Sequence, residues 1–191
     1  MKTTLRCIAV LLALQLGACA SNKSELATQT YGVTADMFGP GMFQVPNSKL
    51  ILFIDLPNLR KNKEKGDINT GYVFEGTGDR FLVTFFVEPP SQAGTTHQDV
   101  YDYYWPRASR NPLIDKSSVK TSQTDRYARV EYFYRGDFEG RRVNMKNVNY
   151  YALVKDRWID VHVSVSNPME ADNAALANLD KKIAFTVLGQ K

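Results

Sequence analysis

A period of two dominates the second half of the chain. In Arg126–Arg135, Ala128, Val130, Tyr132 and Tyr134 fall on one side while Arg129, Glu131 and Arg135 fall on the other. That is the alternation of a strand with one buried face. Asp137-Phe138-Glu139-Gly140 then predicts a turn, Val143–Val154 a long strand, Lys155-Asp156-Arg157 a second turn, and Trp158–Val165 a returning strand. Short connections between strands imply an antiparallel meander. Earlier, Leu50–Leu56 is a short apolar run closed by Pro57, which reads as a buried strand. Gly71–Glu75 and Arg80–Glu88 are two more strands, joined by Gly76-Thr77-Gly78-Asp79. In the latter strand Phe81, Val83, Phe85 and Val87 oppose Leu82, Thr84 and Phe86, so it is expected to be central and covered on both sides.

Two stretches change to helical spacing. Thr96-x-x-Asp99 predicts a capping box, and Val100, Tyr103, Tyr104 and Ala108 follow on one stripe, with Pro106 limiting or kinking the helix. Asn167-Pro168-Met169-Glu170 predicts a second start, with Asn167 as cap, Pro168 at the first helical position and Leu176, Leu179 and Ile183 buried. Ala184–Leu188 reads as a last strand or a helix tail. Two segments are expected to be loops. Met37–Phe43, with Met37, Phe38, Met42 and Phe43 around Gly-Pro-Gly, reads as an irregular apolar cover, or a contact loop for a ligand or partner. Arg60, Lys61, Lys63, Glu64 and Lys65 form a basic turn, or a contact for anionic headgroups or an acidic partner. The expected fold class is α+β: a single antiparallel sheet with helices packed on it.

The N-terminus follows a different logic. Lys2 and Arg6 form a positive head, Ile8–Leu14 an apolar centre, and Leu16-Gly17-Ala18 a small-residue exit. The apolar part is shorter than the ~20 residues that a spanning helix needs, and the three-part order is that of an export signal. Leu16-Gly17-Ala18-Cys19 resembles the lipobox of bacterial lipoproteins. The resemblance implies a diacylglycerol on the Cys19 thiol, cleavage before Cys19 and acylation of the new amino terminus, with palmitate-type chains. Several acyl chains on one residue hold a membrane firmly where one binds only marginally. Ala20-Ser21 follow Cys19, with no aspartate, which by the same resemblance points to the outer membrane facing the periplasm. The expected organisation is a signal over 1–18, a lipidated start and polar tether over 19–30, and one domain over 31–191.

The 191 residues, 43% hydrophobic and 23% charged, fit one globular domain and exclude disorder and a multi-span membrane protein. The only cysteines are Cys7 and Cys19, so a processed and lipidated chain keeps no thiol, and its domain must stand on its core without disulfides. Loss of Lys2 and Arg6 lowers the formal charge from +4 to +2. Together with export, that argues against a nucleic-acid partner.

Asn147-Val148-Asn149-Tyr150-Tyr151, then Trp158-Ile159-Asp160-Val161-His162-Val163-Ser164, then the helix after Asn167, resemble in their order the bacterial envelope proteins of PsbP/DcrB-like fold. The resemblance covers the whole domain and implies a fold used for binding and assembly, with no shared active site to transfer.

Candidate chemistry gathers on the strand Trp158–Val165. Ile159, Val161, Val163 and Val165 face the core, while Trp158, Asp160, His162 and Ser164 face the other way. An acid, an imidazole and a hydroxyl on one side suggest a triad. Same-face neighbours lie about 6.6–6.8 Å apart along a strand, whereas a working relay needs about 2.6–3.2 Å. The preferred reading is a covered or solvated sheet face; a polar ligand groove comes next and a hydrolase last. With Tyr104 and Trp105 of the aromatic cluster Tyr101, Tyr103, Tyr104 and Trp105, these four residues form the candidate binding face. Helical spacing cannot turn all four of those aromatics inward, so some are expected at the surface. His97 and His162 are the only histidines and no ligand motif contains them, so neither a metal nor a cofactor is expected. Arg135-Gly136-Asp137 spells an adhesion tripeptide but is expected from turn preference alone. Three functions follow in order. The first is a non-catalytic envelope lipoprotein binding a protein partner or envelope component, such as a toxin-neutralising immunity protein. The others are a small-molecule or lipid carrier beneath the Met37–Phe43 loop, and a hydrolase using Asp160, His162 and Ser164.

Overall fold

The computed structural model describes residues 41–187. The signal, Cys19, the tether, Met37 and Phe38 lie outside that range. Ten strands and two helices follow in chain order: β1 (Met42–Gln44), β2 (Leu50–Ile54), β3 (Arg60–Asp67), β4 (Gly71–Thr77), β5 (Phe81–Glu88), α1 (His97–Ala108), β6 (Ile114–Gln123), β7 (Ala128–Phe138), β8 (Arg141–Val154), β9 (Arg157–Ser166), α2 (Glu170–Asn178) and β10 (Ile183–Val187). A 3-10 turn, Leu179–Lys181, links α2 to β10. Seven strands form one sheet in the order β3-β4-β5-β9-β8-β7-β6, and β1-β2-β10 form a small second sheet. All pairings are antiparallel. The α+β class, with antiparallel pairing and helices on the sheet, is as expected. The three-stranded sheet adds a layer that the sequence pattern did not suggest.

The alternation of β5 and β9 builds the main core. Phe81, Val83, Phe85 and Val87 on β5 and Ile159, Val161, Val163 and Val165 on β9 share one face with Val148, Tyr150 and Ala152 of β8. Leu50, Leu52 and Ile54 of the small sheet, and Leu176 and Leu179 of the α2 segment, close over them. Phe74 and Phe85 rings lie 5.4 Å apart, and Phe43 of β1 reaches within 4.8 Å of Phe74. Met42 and Phe43 are therefore strand residues, not part of the irregular loop expected at Met37–Phe43. Their pairing with Phe53 and Leu52 depends on Gly41. It sits at φ 88 and accepts a bond from the Ile54 amide at 2.8 Å. A Cβ there would lie 2.4 Å from the Ile54 oxygen.

Other boundaries move for local reasons. Arg60–Lys65, expected as a basic turn, is the exposed edge strand β3 paired to β4. Charged side chains on such an edge keep its unpaired amides from recruiting other strands. At the opposite edge, β6 falls where no element was expected: only Ile114 is buried, so the strand has no apolar face to read. Asp137 and Phe138 continue β7, leaving Glu139 (φ 49) and Gly140 (φ 72) as a two-residue turn into β8. The capping box at Thr96 forms as expected, its hydroxyl accepting from the Asp99 amide. Helix α1 continues through Pro106 for two more residues. Asn167 does not cap α2. It stands at φ 48 at the end of β9, and Asp172 instead accepts the Met169 amide at 2.9 Å while binding Arg80 at the start of β5.

Arg129 and Glu131 fall, as the alternation predicts, on the side of β7 opposite Ala128, Val130 and Tyr132, but that side is covered. They lie in a largely buried ionic group beside α2. Arg129 binds Glu131 at 2.7 Å, Glu131 binds Lys146 at 2.9 Å, and Lys146 donates to Asn173 at 3.0 Å. Asp180 lies 3.0 Å from Arg129 Nε and accepts from the Tyr150 hydroxyl at 2.7 Å. The Arg129 Nε contact is close enough for charge attraction but is not aligned as a hydrogen bond. Burial raises the Glu131 pKa, yet its bonds to Arg129 and Lys146 outweigh burial and hold it below the usual carboxylate range. The stability these contacts supply is therefore full above the unfolded value, about 4.3, and lost as pH falls through the lowered folded one. Glu131→Gln should cost about 3 kcal/mol at pH 7, because two cations lose their counter-charge. Denaturant unfolding at a series of pH values from 7 downward checks this, with the gap between the two proteins constant above about 4.3 and narrowing only below it. Phe85→Ala should cost about 3–5 kcal/mol, read as a lower denaturation midpoint with unchanged slope.

Candidate functional site

The second face of the large sheet is covered only in part. Helix α1 lies over β7 and β8, where Val100, Trp105, Ala128, Val130, Tyr132, Tyr151 and Trp158 form a separate core. Trp105 packs on Tyr132 at 5.2 Å, and Trp158 receives Tyr103 edge-on at 4.9 Å. Tyr104 reaches further. Its ring stacks on Tyr151 at 5.9 Å, meets Phe86 edge-on at 6.4 Å, and its hydroxyl donates to Glu88. None of the four α1 aromatics is exposed: Trp105 is buried, and Tyr101, Tyr103 and Tyr104 are half-buried. This corrects the expectation of surface aromatics. The long rings splay sideways from a short helix and cover more sheet than its backbone does.

Beyond α1 no other helix of the described residues lies over this face, since α2 packs on the opposite one. Cross-strand register sets Val73, Phe86, Asp160 and Tyr151 in one row, and Glu75, Thr84, His162 and Asn149 in the next. A third row holds Thr77, Leu82, Ser164 and Asn147. Leu82, Thr84, Phe86, Asp160 and His162 are half-buried, while Ser164, Asn147 and Asn149 are buried beside them. Of the six residues expected on the binding face, Trp158, Trp105 and Ser164 are thus buried, and Asp160, His162 and Tyr104 are half-buried. Arg60, Lys61 and Lys63 are exposed on β3 at the far edge of the sheet.

Asp160, His162 and Ser164 share the face, but their bonds run across strands and not along β9. The Asn149 amide donates to Asp160 Oδ1 at 2.8 Å, and Asn149 Oδ1 accepts from the Tyr132 hydroxyl at 3.1 Å. His162 Nε2 bonds Asn147 Oδ1 at 3.0 Å. Asn147 spends its own amide on the Met145 oxygen, so the shared proton belongs to the imidazole. No bond joins Asp160 to His162 or His162 to Ser164, and a nucleophile relay needs both. Burial pushes the Asp160 carboxyl up to about 7, only partly offset by the Asn149 bond. Burial alone pulls His162 down to about 4, so the ring is neutral at pH 7. The asparagine pair on β8 was not singled out in sequence; both lie on the Asp160 side by the same alternation that placed His162.

No three His, Cys, Asp or Glu side chains among the described residues converge as a metal site would need. No helix among those residues is long and apolar enough to cross a membrane. No family model matches the chain, and no curated protein matches it. Among solved structures it is similar to LpqN of Mycobacterium tuberculosis, described as involved in cell envelope biogenesis. The TM-score is 0.48 and the identity 6%, over 73% of this chain and 86% of that one. A likeness at that level establishes neither family nor activity.

The Asp160 carboxyl gives a direct pH test. Its folded value lies above its unfolded one, so ionisation penalises the fold. The penalty is absent near pH 4 or below and complete above about 7. Asp160→Asn should therefore stabilise the protein at pH 8 by about 2 kcal/mol, roughly half of what three pKa units would carry in a dry site. The gain should vanish near pH 4, as followed by thermal unfolding at both values.

Proposed function

We propose that this chain is a lipid-anchored protein of the bacterial cell envelope whose domain binds a protein partner through the open half of the α1-side sheet face, without catalysis. The observation that carries the binding reading is the half-covered face. β5 and β9 are central strands, yet Leu82, Thr84, Phe86, Asp160 and His162 remain accessible on one side while the other side is dry. A mixed surface of this kind, with an aromatic rim, suits protein recognition. The bonds of Asp160 and His162 run to Asn149 and Asn147 of β8 and not to each other or to Ser164, which favours a recognition role over a hydrolytic relay. A neutraliser of an incoming toxin, held at the outer membrane and facing the periplasm, is one specific form of this reading. The carrier reading loses part of its support. Met42 and Phe43, expected to cover a groove, pack in β1 on the opposite side of the large sheet.

The anchor rests on Leu16-Gly17-Ala18-Cys19. Mass analysis of protein made in its native host should find a diacylglycerol thioether at Cys19, and Cys19→Ala should move the protein from the membrane to the soluble fraction. An unmodified cysteine would overturn the anchor. A photo-crosslinking residue at Thr84 should give one discrete protein adduct in the native envelope, absent from a control at exposed Lys116. Identical patterns at the two positions would overturn the binding reading.

A further inference from the structure

We propose that β3 is a docking edge for an extended acidic segment of a partner protein, which pairs with its outer backbone while its carboxylates meet Arg60, Lys63 and Lys65. The proposal goes beyond the open face and does not rest on the Thr84 contact.

β3 is the end strand of the large sheet, and among the described residues it pairs with β4 alone. Its outer amides and carbonyls therefore have no strand partner among those residues. Arg60–Gly66 is exposed throughout. The register with β4 shifts only between Lys61 and Lys63, and from Lys63 to Asp67 it is unbroken. The opposite edge, β6, offers a less regular backbone, because its register with β7 shifts between Asp115 and Lys120.

A free edge alone does not define its occupant; the side chains do. Arg60, Lys63 and Lys65 stand opposite Thr77, Glu75 and Val73 on the open side of β4. The alternate residues of β4, Tyr72 and Phe74, belong to the main core on the other side. The three cations thus form one row, in steps of about 6.6–6.8 Å. The acids of the strand are withdrawn from that row. Glu64 lies on the core side, where it pairs with Lys61 at 2.6 Å and accepts from the Tyr72 hydroxyl at 2.7 Å. Asp67 accepts the Asn69 and Thr70 amides in the turn, at 2.8 and 3.0 Å. Among the described residues, Glu75 is the one acid in ion-pair reach of the row, 3.8 Å from a Lys63 side chain that is 74% exposed. Arg60 and Lys65 take part in no ion pair among those residues.

Charges on an edge ordinarily turn other strands away, because pairing takes water from each ammonium group and returns no counter-charge. An acidic strand reverses that balance. Carboxylates at alternate positions of an extended chain repeat at the same step as the row. Each cation then meets an anion directly across the new pairing. Strand addition draws its affinity from main-chain hydrogen bonds and its selectivity from alternate side chains. The cations that admit an acidic segment repel a basic one.

The test uses the full chain in neutral detergent micelles and two capped peptides of the length of β3, one alternating glutamate with threonine, the other lysine with threonine. The glutamate peptide should shift the backbone amide resonances of Lys63–Asp67 saturably and slow hydrogen exchange of the β3 amides that face away from β4. The lysine peptide should do neither. Lys63→Glu combined with Lys65→Glu, a reversal at exposed positions, should weaken the glutamate peptide at least about tenfold and admit the lysine peptide. That gained response also shows the variant to be folded. Equal responses to the two peptides, no saturable shift, or unchanged affinities in the reversed variant would each overturn the proposal. If phosphatidylglycerol in the micelles gives the same shifts while the glutamate peptide protects no amide, the row belongs to anionic headgroups and the proposal fails. Outer amides already protected, and released on dilution, would assign the edge to a second copy of this chain and overturn it too. The Thr84 adduct tests the open face separately, and its presence or absence does not alter the peptide result.

Discussion

The register of β9 between β5 and β8 is the constraint on which the rest of the molecule depends. Ile159, Val161, Val163 and Val165 are buried against the small sheet and the α2 segment, with Phe85 and Val148 on either side. Because side chains alternate with a period of two, a slip of one residue would put Asp160 and His162 into that dry layer. The transfer cost of a carboxyl and an imidazole without partners forbids it. The same apolar packing that stabilises the fold therefore fixes which polar groups appear on the reverse face, and in what order across the strands.

That reverse face stays open for a geometric reason. A helix with its side chains is about 10–12 Å wide, whereas seven strands spaced by about 4.8 Å extend over nearly 30 Å. One helix covers two or three of them. Helix α1 extends its reach by using tyrosines and tryptophan, which carry contact area sideways as far as Phe86 and Trp158. The half it cannot reach includes the central strands β5 and β9, each hydrogen-bonded to a neighbour on both sides. On that floor Asn147 and Asn149 fix the positions of His162 and Asp160.

The sequence revealed what depends on period and on local chemistry. The strands read at Arg80–Glu88, Arg126–Arg135, Val143–Val154 and Trp158–Val165, the box at Thr96 and the division of β9 into two faces are all legible from side-chain order alone, to within a few residues at their ends. What escaped depends on partners distant in the chain. β3 and β6 are edge strands whose side chains meet water on both sides, so they carry no apolar rhythm. β1 is three residues long and exists because β2 pairs with it. The ionic group of Arg129 and Glu131 could not be read from their strand alone, because Lys146, Asn173 and Asp180, which accommodate them, come from β8 and the segment after β9. Asp160 and His162 were legible as chemistry-bearing residues. That each would be engaged by an asparagine one strand away could not be read without the register.

The position of Gly41 separates the two faces of the large sheet in their tolerance of change. The chain enters β1 in the three-stranded layer, on the far side of the large sheet from Tyr104 and Asp160. Any side chain introduced at residue 41 therefore strains the rear layer first, where its Cβ would meet the Ile54 oxygen. The polar rows of the opposite hemisphere, fixed by the β5–β9–β8 register, do not share that contact.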